Sequence, residues 1–369
     1  MTLVATCLFG LEKLLGEEID ALGCKRIETM DGRIFFCGDE RDIVRANLRL
    51  RLAEHIFVLL GSFPATTFAE LFDGVKALPL EDWIGKDDAF PVKGHSIKSK
   101  LFSVPDCQSI IKKAAVTRLS EAYGLKIFPE SKTKYQIEFF LFKDIAYLML
   151  DTTGVPLHKR GYRPDSGLAP LRETLAAAIV LTTRPRADVL LWDPMCGSGT
   201  IAIEAAQILH HIAPGLLRSF DAEQFSRIPA SVWEEEREKA RGEIDLSNGA
   251  AVRASDIDPH MVTMAKENAK RAGVEDCIEF LKADVRKIQK EDRRATIACN
   301  PPYGERLMTP KEVEALYREM GRAFRSLSPW QIFVLTSHPN LEKLFARRAD
   351  RTKKLVNGRI PCTLYEFLK

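Results

Sequence analysis

The stretch Leu190-Leu191-Trp192-Asp193-Pro194-Met195-Cys196-Gly197-Ser198-Gly199-Thr200 decides the fold of this 369-residue chain. Val189 to Trp192 form a short apolar run, which predicts a buried parallel strand. Thr200 to Leu209 are rich in apolar residues and Ala, which predicts a helix. The two glycines between them allow a sharp turn and let a ligand approach the backbone. A strand, a Gly-x-Gly turn and a helix with free N–H groups predict a nucleotide-type site at the carboxyl edge of a sheet.

The loop differs from two common phosphate-binding motifs. It lacks the Gly-Lys-Ser/Thr of a P-loop, which excludes that motif. With Ala202 it forms Gly-x-Gly-x-x-Ala, a permitted form of the dinucleotide fingerprint. A dinucleotide site also needs an acid at the end of a second strand about 20 residues further on. Asp221 has that spacing but follows no strand-like run, whereas Asp256 closes the strand-like run 250–256 and can accept both ribose hydroxyls.

A second stretch, Asn300-Pro301-Pro302-Tyr303-Gly304, ends the apolar run from Ala295 to Cys299. Two consecutive prolines cannot continue a strand ladder, so the chain leaves the strand tip here. The Asn300 side-chain oxygen and the Pro301 carbonyl can accept the two N–H bonds of an exocyclic amino group, and the Tyr303 ring can stack on its base. This set suits direct attack by nitrogen on a methyl sulfonium, a reaction in which positioning does most of the work. The alternative is a rigid loop, which Pro-Pro gives by itself.

The loop from Asp193 to Thr200 resembles the first motif of class I S-adenosylmethionine-dependent methyltransferases, an acid followed by a Gly-x-Gly turn. This resemblance implies S-adenosylmethionine as the cofactor and Asn300, Pro301, Pro302 and Tyr303 as the catalytic residues. The cofactor-binding residues that it implies are Asp193, Pro194, Met195, Cys196, Gly197, Gly199, Thr200, Asp256, Ile257, Asp284 and Val285. In this family the acid at the end of the third strand, here Asp284, holds the adenine amino group. The alternative for Asp284 is a helix cap, the role that we predict for Asp258 after the second strand.

Composition describes an ordinary soluble protein with ample core, since 46% of the residues are hydrophobic and 28% are charged. A net charge of +3 is too small to indicate a nucleic-acid partner by itself. The eight cysteines are scattered without a C-x-x-C pair, which argues for a reducing compartment and against a metal site or a disulfide framework. We find neither a signal peptide nor a membrane-spanning run and expect a cytoplasmic protein.

The first half of the chain predicts two α+β modules. Residues 1–62 read as strand, helix, strand and helix, with the last helix over Asp42–Leu60, and suit a ferredoxin-like module. Residues 63–156 contain a helix over Ser109–Tyr123 and a hairpin that turns at Lys143-Asp144. Residues 157–369 form the third predicted domain, and a closing hairpin around Asn357-Gly358 completes its sheet.

Basic residues concentrate in the second module, with nine Lys or Arg against three Asp or Glu between Lys93 and Lys134. They are either charges on a solvated face or a surface that faces RNA phosphates. The layout resembles the THUMP domain, an RNA-binding module that precedes catalytic domains of RNA-modifying enzymes. The linker that follows adds a cationic and aromatic cluster, where we hypothesise that RNA passes between the two halves. The candidate RNA-binding residues are Lys98, Lys100, Lys112, Lys113, Arg160, Tyr162 and Arg163.

The whole arrangement resembles bacterial RNA methylases that carry a ferredoxin-like part, a THUMP domain and a class I catalytic domain. The resemblance implies an α/β fold, with a Rossmann-like, mostly parallel seven-stranded sheet after the two α+β modules. Characterised relatives methylate guanine N2 in large-subunit ribosomal RNA, so we expect direct SN2 transfer to that atom of a flipped-out base in 23S rRNA. We expect no metal and no covalent cysteine, since Cys196 and Cys299 read as small packing residues. Adenine-N6 methylation of DNA or RNA, methylation of protein glutamine, and an RNA chaperone without catalysis are the alternatives.

Overall fold

Two seven-stranded sheets organise the residues that the computed structural model describes, namely 1–163, 171–247, 249, 251–303 and 308–368. The strand order of the first sheet is β2-β3-β1-β4-β7-β6-β5. Its neighbours are antiparallel except for the parallel pair β5–β6. The strands are β1 Thr2–Cys7, β2 Arg26–Met30, β3 Arg33–Cys37, β4 Ala53–Pro64, β5 Val92–Ile97, β6 Ile137–Phe142 and β7 Ile145–Asp151.

Four helices belong to this half, α1 Glu12–Ala21, α2 Glu40–Arg49, α3 Phe68–Lys76 and α4 Val104–Tyr123. Their apolar residues share one core with alternate strand residues such as Leu3 and Phe36. The residues between these, such as Val4 and Phe35, point to the other side of the sheet and form a separate cluster there. Strand β4 runs across the predicted boundary at residue 62, and the two N-terminal modules share one continuous sheet.

The predicted helix over Asp42–Leu60 was wrong. Helix α2 ends at Arg49, and the backbone of Leu50 is already extended. Strand β4 begins at Ala53, contains the β-branched and aromatic run Ile56-Phe57-Val58, and pairs with β1 and β7. Strand β2 was missed because it is an edge strand with mostly exposed side chains and therefore no apolar pattern. The predicted Lys143-Asp144 turn is confirmed, since both residues have positive φ angles.

The second sheet contains β8 Leu190–Asp193, β9 Val252–Asp256, β10 Ile278–Lys282, β11 Ala295–Cys299, β12 Gln331–Thr336, β13 Arg351–Asn357 and β14 Ile360–Phe367. Its order is β10-β9-β8-β11-β12-β14-β13. The pairs from β10 to β12 are parallel, and β14 is antiparallel to both its neighbours. The predicted mostly parallel seven-stranded sheet is confirmed. Its helices are α5 Glu173–Thr183, α6 Thr200–Leu209, α7 Ala230–Gly242, α8 Pro259–Arg271, α9 Pro310–Arg325 and α10 Leu341–Phe345.

The order of this sheet places a topological switch between β8 and β11. The chain leaves β8 towards β9 and β10 on one side, then returns to pair β11 with the other side of β8. Ligands of open α/β sheets bind in the crevice at such a switch point, beyond the carboxyl ends of the strands. The loops after Asp193 and after Cys299 therefore begin side by side. Pro170, predicted to lie near the start of α5, falls outside the described residues. Across those described residues, no helix is long and apolar enough to span a membrane.

Candidate active site

The Gly-x-Gly loop after β8 is fixed by backbone hydrogen bonds. The Cys196 N–H donates to the carbonyl of Ser255 on β9 (2.9 Å), and the Gly199 N–H donates to the Cys196 carbonyl (2.7 Å). Gly199 has a φ of 83°, and a Cβ built on it would lie 2.9 Å from the Ala265 Cβ on α8. Both the positive φ and the close approach of α8 require glycine here. The loop thus packs tightly between β9 and α8, as a cofactor loop must.

Asp193 is a buried acid at the end of β8. Its Oδ1 accepts a hydrogen bond from the Met195 N–H (3.2 Å). Burial raises the pKa of this carboxyl to about 8, and the negative charge of Asp256 acts in the same direction. A cation beside Asp193 would favour its ionised form. The end of β8 is therefore suited to a positively charged ligand.

Asp256, at the end of β9, joins the loops of two strands. Its Oδ2 accepts from the Gly197 N–H (3.0 Å), and its Oδ1 accepts from the Asp258 N–H (3.0 Å). Each oxygen keeps a lone pair for a further donor. The predicted capping role of Asp258 is confirmed, because its side chain accepts from the His260 N–H at the start of α8. Ile257 is exposed at the rim of the same loop.

Asp284 lies beyond β10 and is bound by Arg286. The Arg286 backbone N–H and Nε donate to its Oδ1 (3.0 and 2.8 Å), and Nη2 donates to its Oδ2 (2.7 Å). These bonds lower the pKa of the Asp284 carboxyl. Asp284 caps a single 3₁₀ turn over Val285–Lys287, so the alternative capping role is realised at this position.

A cavity of about 590 Å³ opens on the sheet below Asp284. Its lining includes residues from the ends of β8, β9 and β10, namely Trp192, Pro194, Ser255, Ala283, Asp284 and Val285. The Trp192 indole N–H donates to the Ser255 hydroxyl (2.9 Å), which fixes the ring in the wall. The lining thus combines apolar surface near Trp192 and Val285 with charges of both signs, which besides Asp284 belong to Arg253, Glu279, Lys287, Lys290 and Glu291.

The catalytic candidates follow β11 at the adjacent strand end. The Tyr303 hydroxyl donates a hydrogen bond to the Asn300 Oδ1. Burial raises the pKa of Tyr303 strongly, so the phenol is neutral and can act as a donor. The oxygen that we predict to accept a substrate amino group is therefore bonded to Tyr303 in this arrangement. An amide oxygen has two lone pairs, so the Asn300 Oδ1 keeps one for a further donor.

Tyr317 supports the loop that carries the catalytic candidates, and the sequence alone did not indicate this role. This fully buried residue of α9 donates its hydroxyl to the Pro302 carbonyl (2.9 Å), and the same oxygen lies 2.8 Å from the Thr336 hydroxyl on β12. Pro302 follows Pro301, the predicted acceptor, so Tyr317 fixes the loop immediately beyond it. The only signal in the sequence is a Tyr on the apolar face of a predicted helix, which does not reveal a partner.

Arg160 and Tyr162 contradict their predicted RNA-binding role, since they are only 2% and 0% exposed. Glu204 of α6 is also buried and accepts from the Tyr162 hydroxyl (3.2 Å) and from Arg160 Nε (3.4 Å). Arg160 further donates to the carbonyl of Arg51 (2.6 Å). A buried carboxylate needs charged and hydrogen-bonding partners, and the linker supplies them. The cluster therefore ties the N-terminal half to the helix that begins at the cofactor loop.

Arg163 of the linker contacts the start of the same helix through its side chain. Its Nε donates to Glu173 Oε1 (2.9 Å), and its Nη1 donates to the Thr200 hydroxyl (3.3 Å). Thr200 is the first residue of α6, directly after Gly199. Arg163 thus connects the linker to the cofactor loop, and its guanidinium is largely turned inward.

The four predicted lysines of the second module differ in their surroundings. Lys112 is half-buried and donates to Glu130 Oε1 (2.7 Å) and to the Phe90 carbonyl (3.1 Å). Lys98, Lys100 and Lys113 are exposed. A role in RNA binding stays a prediction for these residues. No group of three or more metal-ligating side chains occurs in the described part of the chain.

Comparisons with known protein families cover nearly the whole chain. Residues 160–366 match the RMKL-like methyltransferase domain. Residues 2–57 match the RlmL ferredoxin-like domain, and residues 65–151 match the THUMP domain.

Individual relatives match over almost their full length. YpsC of Bacillus subtilis (strain 168), provisionally named an RNA methyltransferase, is 44% identical over 99% of this chain and 95% of its own. A Listeria monocytogenes structure (strain 4b F2365), described as a predicted N6-adenine-specific DNA methylase, is 42% identical with a TM-score of 0.94, over 99% of this chain and 95% of its own. SMU.472, described as a methyltransferase candidate in complex with SAH, is 39% identical with a TM-score of 0.94, over 99% and 97%.

Proposed function

This chain belongs to the RMKL-like methyltransferase family with N-terminal ferredoxin-like and THUMP domains, and we propose that it methylates guanine N2 in 23S rRNA. The observation that carries the proposal is the pairing of β8 with β11 at the switch point. Because these strands are neighbours, the Gly-x-Gly loop and the Asn-Pro-Pro-Tyr segment leave adjacent strand ends, which supports a shared crevice. A methyl donor and an amino group must meet within near-attack distance, and this crevice suits that meeting.

The cofactor is S-adenosylmethionine, as the SAH complex of the relative SMU.472 supports. When bound, it supplies a methyl group on a positively charged sulfonium. The described residues fit such a ligand. Asp256 has acceptor capacity for ribose hydroxyls, the Asp284 carboxylate lines the cavity while bonded to Arg286, and the buried Asp193 lies at the end of β8 where a positive ligand is favoured.

The Asn300 loop performs the chemistry by positioning. The Asn300 oxygen and the Pro301 carbonyl accept the two hydrogens of the amino group. Because both hydrogens are held in this way, the nitrogen lone pair points towards the methyl carbon. The Tyr303 ring stacks on the base. Because neither acceptor is a strong base, the proton released after transfer passes to water. The base must leave its stack to reach this loop.

RNA as the substrate is supported by the N-terminal half. The THUMP domain and the ferredoxin-like domain together form more than a third of the chain, and the relative YpsC carries an RNA methyltransferase name. Guanine N2 in 23S rRNA is supported by the characterised relatives that the chain resembles. Exposed Lys98, Lys100 and Lys113 would contribute phosphate contacts.

Adenine N6 is the second candidate. Asn-Pro-Pro-Tyr suits either amino group, and the Listeria monocytogenes relative is described as an adenine-N6 DNA methylase. The substrate polymer is identified by giving the enzyme radiolabelled S-adenosylmethionine with unmodified rRNA, duplex DNA and cell protein in parallel reactions. We expect label in rRNA alone. Label confined to DNA or to protein would refute the RNA assignment.

A further inference from the structure

Arg286 lies between the candidate cofactor cavity and helix α9. It belongs to the 3₁₀ turn Val285–Lys287, directly after Asp284, which lines the cavity. Its side chain is 44% exposed and contacts an acid on each side, Asp284 and Glu319. In the described part of the chain, no other carboxylate lies within ion-pair distance of Arg286. The charge of this guanidinium is therefore shared between one residue of the cavity and one residue of α9.

Both carboxylate oxygens of Asp284 already accept two hydrogen bonds each. Oδ1 accepts from the Arg286 backbone N–H (3.0 Å) and from Arg286 Nε (2.8 Å). Oδ2 accepts from Nε (3.0 Å) and from Nη2 (2.7 Å). An ionised carboxylate offers about four lone-pair sites, so a further strong donor has to displace one of these bonds. The backbone N–H is fixed in the turn, and the guanidinium is the group that can leave.

Glu319 of α9 gives the guanidinium a second position. Its Oε2 lies 3.4 Å from Arg286 Nη1, which is longer than the 2.7 Å contact between Nη2 and Asp284. Glu319 is 45% exposed, and among the described residues no cation other than Arg286 pairs with it. A half-exposed ion pair contributes little free energy, so a long arginine side chain can exchange one carboxylate for the other.

The turn that carries Arg286 packs against the helix that supports the catalytic loop. Val285 belongs to one apolar cluster with Tyr317 and Met320 of α9. Tyr317 in turn donates to the Pro302 carbonyl. A guanidinium that moves from Asp284 towards Glu319 therefore strengthens the contact between the cofactor cavity and the support of the catalytic loop.

We propose that Arg286 sets the affinity and selectivity of the cofactor site by competing with the amino group of the ligand for Asp284, and that Glu319 receives the displaced guanidinium. This inference rests on the proposed cofactor site, in which Asp284 accepts the adenine amino group. It is independent of the base and the polymer that are methylated. A ligand with a donor at this position displaces Arg286, whereas a ligand with an acceptor there leaves the ion pair intact.

The alternative is an ion pair that only stabilises the 3₁₀ turn. Asp284 does cap this turn, through the Arg286 backbone N–H. The cap itself does not need the guanidinium, because the backbone donor stays when the side chain is replaced. The two roles therefore differ in what the loss of the guanidinium does to ligand binding.

The test measures SAH affinity by calorimetry in the full-length protein. The variants are Arg286→Gln, Glu319→Gln and the two combined. The matched control is Arg318→Gln, which removes an exposed arginine of α9 that pairs with Glu314 at 2.8 Å. The second ligand is S-inosylhomocysteine, which carries an oxygen in place of the adenine amino group. Urea unfolding checks that each variant is folded.

We expect Arg286→Gln to bind SAH about threefold to tenfold more tightly than the wild type, because no guanidinium has to be displaced. The affinity for S-inosylhomocysteine should not rise. Glu319→Gln should bind SAH about threefold more weakly, and it should have no effect in the Arg286→Gln background. The control should match the wild type with both ligands.

An SAH affinity that is unchanged or lower in Arg286→Gln overturns the proposal, as does an equal gain for S-inosylhomocysteine. Wild-type affinity in Glu319→Gln overturns the part assigned to Glu319. If the wild type itself does not bind SAH, the proposed cofactor site fails, which is a separate result.

Discussion

The hydroxyl of Tyr303 donates a hydrogen bond to the side-chain oxygen of Asn300, so the two catalytic candidates are bonded to each other. A substrate amino group either shares the Asn300 oxygen with the Tyr303 hydroxyl or displaces that hydroxyl. The net value of such a bond is about 1 kcal/mol, small enough for a stacked base to replace it.

Tyr303 variants separate its ring from its hydroxyl. Tyr303→Phe keeps the stacking face and frees the Asn300 oxygen, so kcat/KM for RNA should stay within about threefold of the wild type. Tyr303→Ala loses stacking worth about 1–3 kcal/mol and should lower kcat/KM by about five- to 150-fold. Steady-state methyl transfer measures both. Equal losses in the two variants would mean that the hydroxyl itself is required.

Tyr317→Phe tests the fixation of the catalytic loop. The change leaves the Pro302 carbonyl without its donor and should cost about 1–3 kcal/mol of unfolding free energy. We expect kcat to fall while SAH affinity is retained, because the cofactor loop is on another strand. Urea unfolding, calorimetry and single-turnover rates provide the readouts. A wild-type kcat with reduced stability would assign Tyr317 to folding alone.

The raised pKa of Asp193 predicts that the stability of the folded protein depends on pH. Its folded-state pKa, about 8, lies above the ordinary value of 3.8. Between these values the folded protein binds a proton that the unfolded chain has released, so stability falls as pH rises, by about 1.4 kcal/mol per unit. Asp193→Asn should flatten the decline in Tm between pH 5 and 8, measured without cofactor. Parallel slopes for variant and wild type would contradict a raised pKa.

Gly199 can be compared with a glycine of similar backbone but open surroundings. Gly199→Ala places a Cβ 2.9 Å from Ala265, whereas Gly273, with a φ of 71°, has no heavy atom of the described residues within 4 Å. Both alanine variants should lose about 1–2 kcal/mol from the left-handed backbone. Only Gly199→Ala should also lose SAH affinity in calorimetry. Full SAH binding by that variant would show that α8 can shift without affecting the loop.

The catalytic half was predictable because its signals are local. Neighbouring residues alone specify the strand ends, the Gly-x-Gly turn and the Asp258 cap. The structure has these features at the predicted places. The helix over Asp42–Leu60 failed because helical spacing continued by chance into β4, whose strand character depends on distant partners.

Contacts across the sequence could not be predicted. Arg160 and Tyr162 have the composition of an RNA-binding cluster, yet Glu204, more than 40 residues away, draws them inward. The bond of Tyr317 to Pro302 and the bonds of Arg218 to the linker carbonyls are of the same kind. Residue type indicates what a side chain can do, and the fold decides which partner it meets.

The most direct test of the central claim is identification of the methylated nucleoside. Unmodified 23S rRNA is incubated with the enzyme and labelled S-adenosylmethionine, digested to nucleosides and resolved, with Asn300→Ala as the control. We predict labelled N2-methylguanosine with the wild type and at least a hundredfold less with the variant, because the loss of a transition-state hydrogen-bond partner costs about 3 kcal/mol. Labelled N6-methyladenosine, or equal labelling by the variant, would contradict the account.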